Sequence, residues 1–326
     1  MSPFIEHPGV DEGAATAAEP LHTTGRYESL SATVRRYVLA TKPRIIELLL
    51  VTTVPAMVVA REGWPGTRLV AMTLLGGSLT AGSANVLNNV HDRDVDQLMG
   101  RTGRRPTARG ELSVRAAVVY GIVLGIVGFA ILAIEANLLA AVLAASAIGF
   151  YVFVYTMWLK RSTDQAVVIG GAAGCVPVLT GWAAVTGNLA DPRPWLLFAI
   201  VFWWTPPHFW ALAMKYRRDY EAAGLPMLPV TRGNVVASQH VLLYSWLLLS
   251  VVLLYISTGV GWLFIATSLG ATAVWLLLAV RLRRTALAAE DPETDQPTIR
   301  AGMRLFAWST TWLALVFVAA AVDASL

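Results

Sequence analysis

Asn88-Asn89-Val90-His91-Asp92-Arg93-Asp94-Val95-Asp96-Gln97-Leu98-Met99-Gly100-Arg101-Thr102-Gly103-Arg104-Arg105-Pro106 closes a hydrophobic block with three carboxylates and four arginines. Charge is costly at a membrane boundary and is rarely packed this densely without a function. Asn88, Asp92 and Asp96 are spaced i, i+4, i+8, which on a helix puts them on one face with a slow drift. One amide and two carboxylates on one face make a hard-oxygen site. Mg²⁺ favours such a site, taking one or two carboxylates, several waters and a substrate phosphate. A solvated helix end that merely marks topology is the plainer reading, but topology needs positive charge and not acids beside an asparagine. Asp94 falls on roughly the opposite face, where Arg93 or loop contacts are expected to neutralise it.

Working outward, the chain has 326 residues, of which 56% are hydrophobic and 14% charged, against roughly 25% charged in soluble domains. The apolar residues form long blocks, so the expected fold is an all-α integral membrane protein. Nine transmembrane helices are read near 45–60, 69–90, 114–134, 138–159, 166–186, 195–214, 239–259, 262–280 and 304–322, each close to the roughly 20 residues that cross a bilayer. The first is the shortest and carries Glu47. With the N-terminus cytoplasmic, the C-terminus lies outside and 22 of the 25 Lys and Arg residues fall on the inner side, leaving Arg61, Arg68 and Arg193 outside. The net charge of +4 reflects this topology and does not point to nucleic acid. Residues 1–34 are polar and lack an apolar core, so they read as a disordered cytoplasmic arm and not a signal peptide. Residues 35–326 read as one polytopic domain. Cys175, the only cysteine, excludes an intramolecular disulfide and reads as a small buried residue. Arginine outnumbers lysine 22 to 3, which suggests a GC-rich bacterial genome.

A second charged loop, Lys215 to Val230, ends the sixth block, and four spans separate the two loops, hinting at two four-helix units plus one extra helix. Lys215 and Asp219 repeat the i, i+4 spacing. Asp219 can take a second metal and Lys215 can meet phosphate oxygens, or the two form an ordinary helix-surface ion pair. Tyr220 either orients substrate or sits in an interfacial aromatic belt. Arg101, Arg104, Arg105 and Arg109 have the fixed bidentate geometry that neutralises a leaving diphosphate, although positive-inside charge explains some of them. His208, within Trp203-Trp204-Thr205-Pro206-Pro207-His208-Phe209-Trp210, reads either as a haem or proton-shuttle residue or as a hydrogen-bonded core histidine. His91 lies near the acidic face and also at a water boundary. Gly170-Gly171-Ala172-Ala173-Gly174 serves close helix packing or leaves room for a large ligand, and Pro177 can widen a cavity. Glu290 to Asp295 reads as a solvated surface turn. One picture unites these pieces: a diphosphate on Mg²⁺ and arginines at the cytoplasmic mouth, its lipid tail between apolar helices, ionising to an allylic cation away from water.

The Asn-x₃-Asp-x₃-Asp motif at Asn88, Asp92 and Asp96 resembles the UbiA-type intramembrane prenyltransferases. Further stretches resemble the haem O synthase (protohaem IX farnesyltransferase) branch: Thr41-Lys42-Pro43-Arg44 into Glu47, Asp92 through Arg105-Pro106, Gly170 through Gly181-Trp182, Pro207-His208-Phe209-Trp210, and Asp219-Tyr220 through Pro226-Met227-Leu228-Pro229. The resemblance spans about residues 35–320 and implies nine helices around a central cavity under a cytoplasmic cap. It implies farnesyl diphosphate as donor, haem B as acceptor and Mg²⁺ as cofactor, in a multi-pass protein of the bacterial cell membrane. Carried over, Asn88, Asp92 and Asp96 bind Mg-diphosphate, Arg101 and Arg105 assist, and His208 is the haem-side candidate. Haem A synthase and a terminal oxidase are the implied partners. The wider superfamily has a second Asp-x₃-Asp motif, of which only Asp219 remains here, with Ala223 four residues on; and Val178 stands where a second proline often follows Pro177.

Alternatives from the same and other classes stay open at this level: a prenyltransferase for a quinone-type aromatic acceptor, a transporter, or a non-catalytic haem-handling assembly factor. A transporter would place ionisable residues near mid-membrane, whereas here only Glu47 and His208 are drawn inward. An assembly factor has no need of Asp92 and Asp96 on one face.

Overall fold

The computed structural model describes residues 30–326, apart from the side chains of 44–50; the readings of residues 1–29 and of Glu47 lie outside the described residues. Long apolar blocks fold as helices because a spanning segment must satisfy its own backbone hydrogen bonds. The order is α1 (Leu30–Ala40), α2 (Pro43–Arg61), α3 (Thr67–His91), α4 (Arg93–Leu98), α5 (Val114–Glu135), α6 (Leu138–Gly149), α7 (Ala166–Thr186), α8 (Arg193–Lys215), α9 (Arg217–Ala222), α10 (Leu228–Ile256), α11 (Trp262–Ala288) and α12 (Gln296–Asp323). Between α6 and α7 the chain continues as a π-helical segment, Phe150–Trp158, and a 3₁₀ turn, Leu159–Arg161. Among the described residues, eight helices are long and apolar enough to cross a membrane, counting Leu138–Arg161 as one, and Val51–Arg61 is a shorter apolar stretch within α2. Helix α1 begins at Leu30, so the last residues assigned to the N-terminal arm are helical.

Two boundaries differ from the sequence reading. The seventh span starts at Leu228, because α10 runs through a kink at Gly233 (φ 77°, ψ 166°), a backbone conformation that favours glycine. Glu293 holds that kink: its Oε1 accepts from the Asn234 backbone N–H at 2.8 Å. The inner loop read as 281–303 is mostly helix, since α11 reaches Ala288 and α12 starts at Gln296. Asp295 caps α12, accepting from the Thr298 N–H at 2.8 Å. The Glu290–Asp295 stretch is therefore a structural brace and not merely a solvated turn.

The helices divide by how their interiors are filled. Helices α8, α10, α11 and α12 enclose a solid core with Trp204, Trp275 and Trp312 almost fully buried. Each indole N–H has a partner: the Ser309 carbonyl, the Ser245 hydroxyl and the Thr272 hydroxyl. The other side, bounded by α2, α3, α6 and α7, holds an apolar cavity whose lining includes Thr53, Ala84, Asn85, Tyr151, Gly174 and Pro177. The cavity thus lies between these helices and the π-helical segment, alongside the tryptophan-rich core.

The small residues of α7 serve both purposes the sequence left open. A Cβ on Gly170 would lie 2.1 Å from the Tyr155 ring, so α7 and the π-helical segment touch through a missing side chain. A Cβ on Gly174 would meet nothing within 4 Å, because that position faces the cavity. Gly170→Val is accordingly expected to destabilise the protein by about 1–3 kcal/mol, the usual cost of overpacking, and to displace Tyr155. A thermal melt of the detergent-solubilised variant checks this; an unchanged midpoint would refute the close contact.

Candidate functional site

Asp92 sits where α3 hands over to α4. Its backbone (φ −85°, ψ 3°) departs from the α-helical average, yet the 88→92 and 92→96 backbone bonds persist at 2.9 and 2.8 Å. The helical spacing therefore survives the joint, and the Asn88, Asp92 and Asp96 side chains are all buried, with 2%, 0% and 2% exposure. Asp94, on the opposite face, is exposed and gripped by Arg161 through two bonds of 2.8 Å. That Arg161 fork holds the Asp94 carboxyl well below the usual carboxylate range. The neutralising partner comes from the end of the π-helical span, not from Arg93.

Buried carboxylates need counter-charge, and three cations supply it. Lys160 donates to Asp92 Oδ2. Arg105 donates from Nη1 to both oxygens of Asp96, at 2.8 and 2.7 Å. Lys42, just before α2, donates to Asn88 Oδ1 at 2.7 Å. Burial, with the Arg105 and Lys160 cations nearby, pushes the Lys42 ammonium well below the usual lysine range. Asn88 completes the network by donating to Asp92 Oδ2 at 2.8 Å and to Thr156 Oγ1 at 3.0 Å. Thr156 in turn donates to the Tyr151 carbonyl five residues back, a bond made within the π-helical turn. Such turns are rare and concentrate at functional sites. Tyr151 and Tyr155 stack at 5.2 Å, and Tyr151 lines the apolar cavity.

The second loop closes over the first. Val95 and Met99 pack with Tyr220, Ala223 and Leu225. Arg101 lies 5.7 Å from the Tyr216 ring centroid, close enough to Tyr220 for its charge to act on the phenol. Burial is the largest influence on the Tyr220 phenol and raises its pKa. Lys215 is exposed and lies 5.4 Å from the Tyr216 ring centroid, so it stacks on an aromatic instead of pairing with Asp219. Asp219 approaches the Gly100 backbone. Among the described residues no three His, Cys, Asp or Glu side chains gather as a metal cage, so Asp219 does not join Asp92 and Asp96. Arg109 pairs with Glu111 at 3.1 Å on the surface, away from the acids.

The donor set still suits Mg²⁺, which needs only one or two carboxylates and keeps water and phosphate oxygens for the rest. Asp92 Oδ1 is buried with no hydrogen-bond partner, and Arg161 Nη2 lies 3.9 Å from it. An orphaned carboxylate oxygen at full burial is costly and signals a missing partner.

The model of the UbiA prenyltransferase family matches residues 49–309. The chain belongs to the UbiA prenyltransferase family. Curated relatives include the protoheme IX farnesyltransferase 1 of Saccharopolyspora erythraea, 50% identical over 96% of both chains. The protoheme IX farnesyltransferase of Mycolicibacterium smegmatis is 47% identical over 91% of this chain and 93% of its own. Among solved structures, a digeranylgeranylglyceryl phosphate synthase superposes with TM-score 0.70 at 14% identity, covering 90% of this chain and 99% of that one. A UbiA homologue from Archaeoglobus fulgidus bound to GPP and Mg²⁺ gives TM-score 0.62 at 17% identity, over 87% of this chain and 99% of its own. These two likenesses establish the fold.

Within this family member, His208 stands apart from the acids. It lies between α8 and α12, stacked on Trp204 at 4.3 Å and on Phe306 at 4.5 Å, with Nδ1 against Ser309 Oγ. It does not line the cavity. Sequence reasoning missed Lys42, Lys160 and Arg161 as members of the acidic site, having read the latter two as topological charge. One signal was available: the chain has only three lysines, and two of them sit on the acidic face.

Proposed function

We propose that this chain transfers a farnesyl group from farnesyl diphosphate to a vinyl group of haem B, with addition of water, giving haem O and diphosphate. The observation that carries the transfer chemistry is the buried Asp92–Asp96 pair, ringed by Lys42, Lys160 and Arg105, beside an apolar cavity. Its 46–50% identity to several protoheme IX farnesyltransferases over most of its length supports haem as the acceptor.

Asp92 and Asp96, with Asn88, would hold Mg²⁺, which when bound neutralises charge on the departing diphosphate. Lys160 and Arg105 face carboxylates and Lys42 faces the Asn88 amide oxygen; these are the cations that a diphosphate would draw onto its own oxygens. Arg101, on the loop after α4 and against the Tyr216 ring, closes the site from the first loop, with Lys215 and Asp219 of the second loop as candidates for the outer phosphate. The farnesyl chain runs into the apolar cavity past Tyr151 and Gly174. Its C1–O bond breaks, diphosphate leaves with the electron pair, the haem vinyl carbon attacks C1, and water adds to the neighbouring carbon with release of a proton. The Tyr151–Tyr155 pair and the apolar walls keep other water from the cation. His208, between Trp204 and Phe306, is the proposed haem-side residue, since flat aromatic surfaces suit a porphyrin.

The reading extends to topology: nine spanning helices, α2 included, with the acidic end cytoplasmic and the C-terminus outside, in a bacterial plasma membrane. The distribution of Lys and Arg supports it. Haem A synthase and a terminal oxidase are the proposed downstream partners.

Purified protein in lipid, given haem B, farnesyl diphosphate and Mg²⁺, is expected to yield a haem heavier by farnesyl plus water. Prenylation of a quinone precursor and not of haem would move the chain to the aromatic branch. Haem binding without transfer to any acceptor would overturn the catalytic reading.

A further inference from the structure

The cytoplasmic-site end of the bundle carries a second concavity that farnesyl transfer does not use. It lies between α11 and α12 and is lined by Arg281, Thr285, Pro297, Arg300, Ala301 and Arg304. The two helices are antiparallel neighbours, so the end of one lies beside the start of the other.

The sequence fixes the depth of these arginines. Residues 262–280 carry no charge, and Arg281 is the first ionisable residue after them. Residues 305–322 carry none either, and Arg304 is the last one before them. Arg281 and Arg304 therefore flank one groove at the edge of the hydrocarbon layer, the level of lipid headgroups. Arg300 stands one turn further out on the same face as Arg304.

Like charges at i, i+4 repel, and a third arginine from the facing helix adds to that repulsion. Most nearby charges are engaged elsewhere. Arg283 donates to the Val235 carbonyl at 2.8 Å, Arg217 pairs with Glu293, and Arg232 pairs with Asp164. Asp291 accepts from Thr294, and Asp295 caps Thr298. Among the described residues, Arg281, Arg300 and Arg304 have no carboxylate partner. Positive-inside topology accounts for basic residues at this end of the bundle, but not for three converging on one groove. A guanidinium fork matches phosphate oxygens bidentately, and basic pockets between spanning helices suit anionic headgroups.

We propose that the α11–α12 groove binds the phosphate of an anionic phospholipid headgroup through Arg281, Arg300 and Arg304. The lipid's acyl chains would lie along the apolar flanks of the two helices below. This site is separate from the Asp92–Asp96 face, whose cations come from the start of α2, the end of the π-helical span and the loop after α4.

The test is native mass spectrometry of the delipidated full chain, titrated with dioleoyl phosphatidylglycerol, dioleoyl phosphatidylcholine or inorganic phosphate. Phosphatidylglycerol adducts are expected to survive and phosphatidylcholine adducts to be lost. R281Q/R300Q/R304Q should weaken phosphatidylglycerol affinity roughly 100-fold, while R35Q/R115Q, exposed arginines outside the groove, should leave it unchanged. Should the triple variant fail to fold, R304Q alone is expected to cost about fivefold. Equal lipid retention by the arginine variants would overturn the proposal. So would inorganic phosphate binding as tightly as the lipid, which would make the groove a site for free phosphate.

Discussion

Asp92→Ala is expected to lower farnesyl transfer by at least about 10²–10³-fold, the loss typical when one preorganised charge stabiliser is removed from a water-excluded site. Asp92 is fully buried, takes the Lys160 ammonium and the Asn88 amide on Oδ2, and leaves Oδ1 without a hydrogen-bond partner. Among the residues described around the site, no other carboxylate oxygen is buried without a hydrogen-bond partner. Asp92→Asn keeps the volume and removes the charge, so it should lose as much activity as Asp92→Ala; a large difference between the two would point to packing. The alanine variant carries a second cost, because Lys160 then faces Arg161 and Lys42 with its nearest anion gone. Removing one partner of a buried pair costs about 3–5 kcal/mol, and the 19% exposure of Lys160 places this case towards the low end. A thermal melt reads that cost and the haem-product assay reads the first. Chelating Mg²⁺ from the wild-type protein should reproduce the loss of activity without the loss of stability. Activity within tenfold of wild type in Asp92→Ala would end the diphosphate reading of this face.

The spans were legible because a bilayer imposes a strong and simple constraint: each crossing must be apolar and about 20 residues long. Thr67–His91 and Val114–Glu135 lie within a few residues of the blocks read from composition. The acidic face was legible for a related reason, since helical periodicity alone brings Asn88, Asp92 and Asp96 together. What could not be read is what depends on distant segments meeting. The α10 kink needs Glu293, which is 59 residues from Asn234. Lys42 reaches Asn88 from 46 residues away in sequence and Lys160 reaches Asp92 from 68, and either reads locally as a basic residue at a span end. The tryptophan core draws on α8, α11 and α12 together, which no single helix pattern reveals.

Lys160→Met is expected to separate two roles that the wild-type residue combines. The ammonium sits on Asp92 Oδ2 beside an orphaned oxygen, so it competes with any cation for that carboxylate. A lysine suits such exchange better than arginine, being a compact point charge on a flexible stem with three rotatable donors. On the proposed reading, an ammonium released from Asp92 would be available to the phosphate oxygens of an incoming diphosphate. Methionine keeps the apolar stem and removes the charge. Losing one hydrogen bond to a charged group costs about 1.5–3 kcal/mol, so the KM for farnesyl diphosphate should rise about 10- to 100-fold. The half-saturating Mg²⁺ concentration should fall, because Asp92 no longer has an internal cation to displace. Opposite shifts in the two constants distinguish this exchange from damage to the fold, which would weaken both together. Lys42→Met is expected to move both constants in the same directions but less, since Lys42 holds Asn88 and not a carboxylate. The double variant should depart from additivity, because both lysines act on one hydrogen-bonded network through Asn88. Unchanged KM and Mg²⁺ dependence in Lys160→Met would show that this lysine serves only as a structural counter-ion, and diphosphate recognition would then rest on the arginines of the loop after α4.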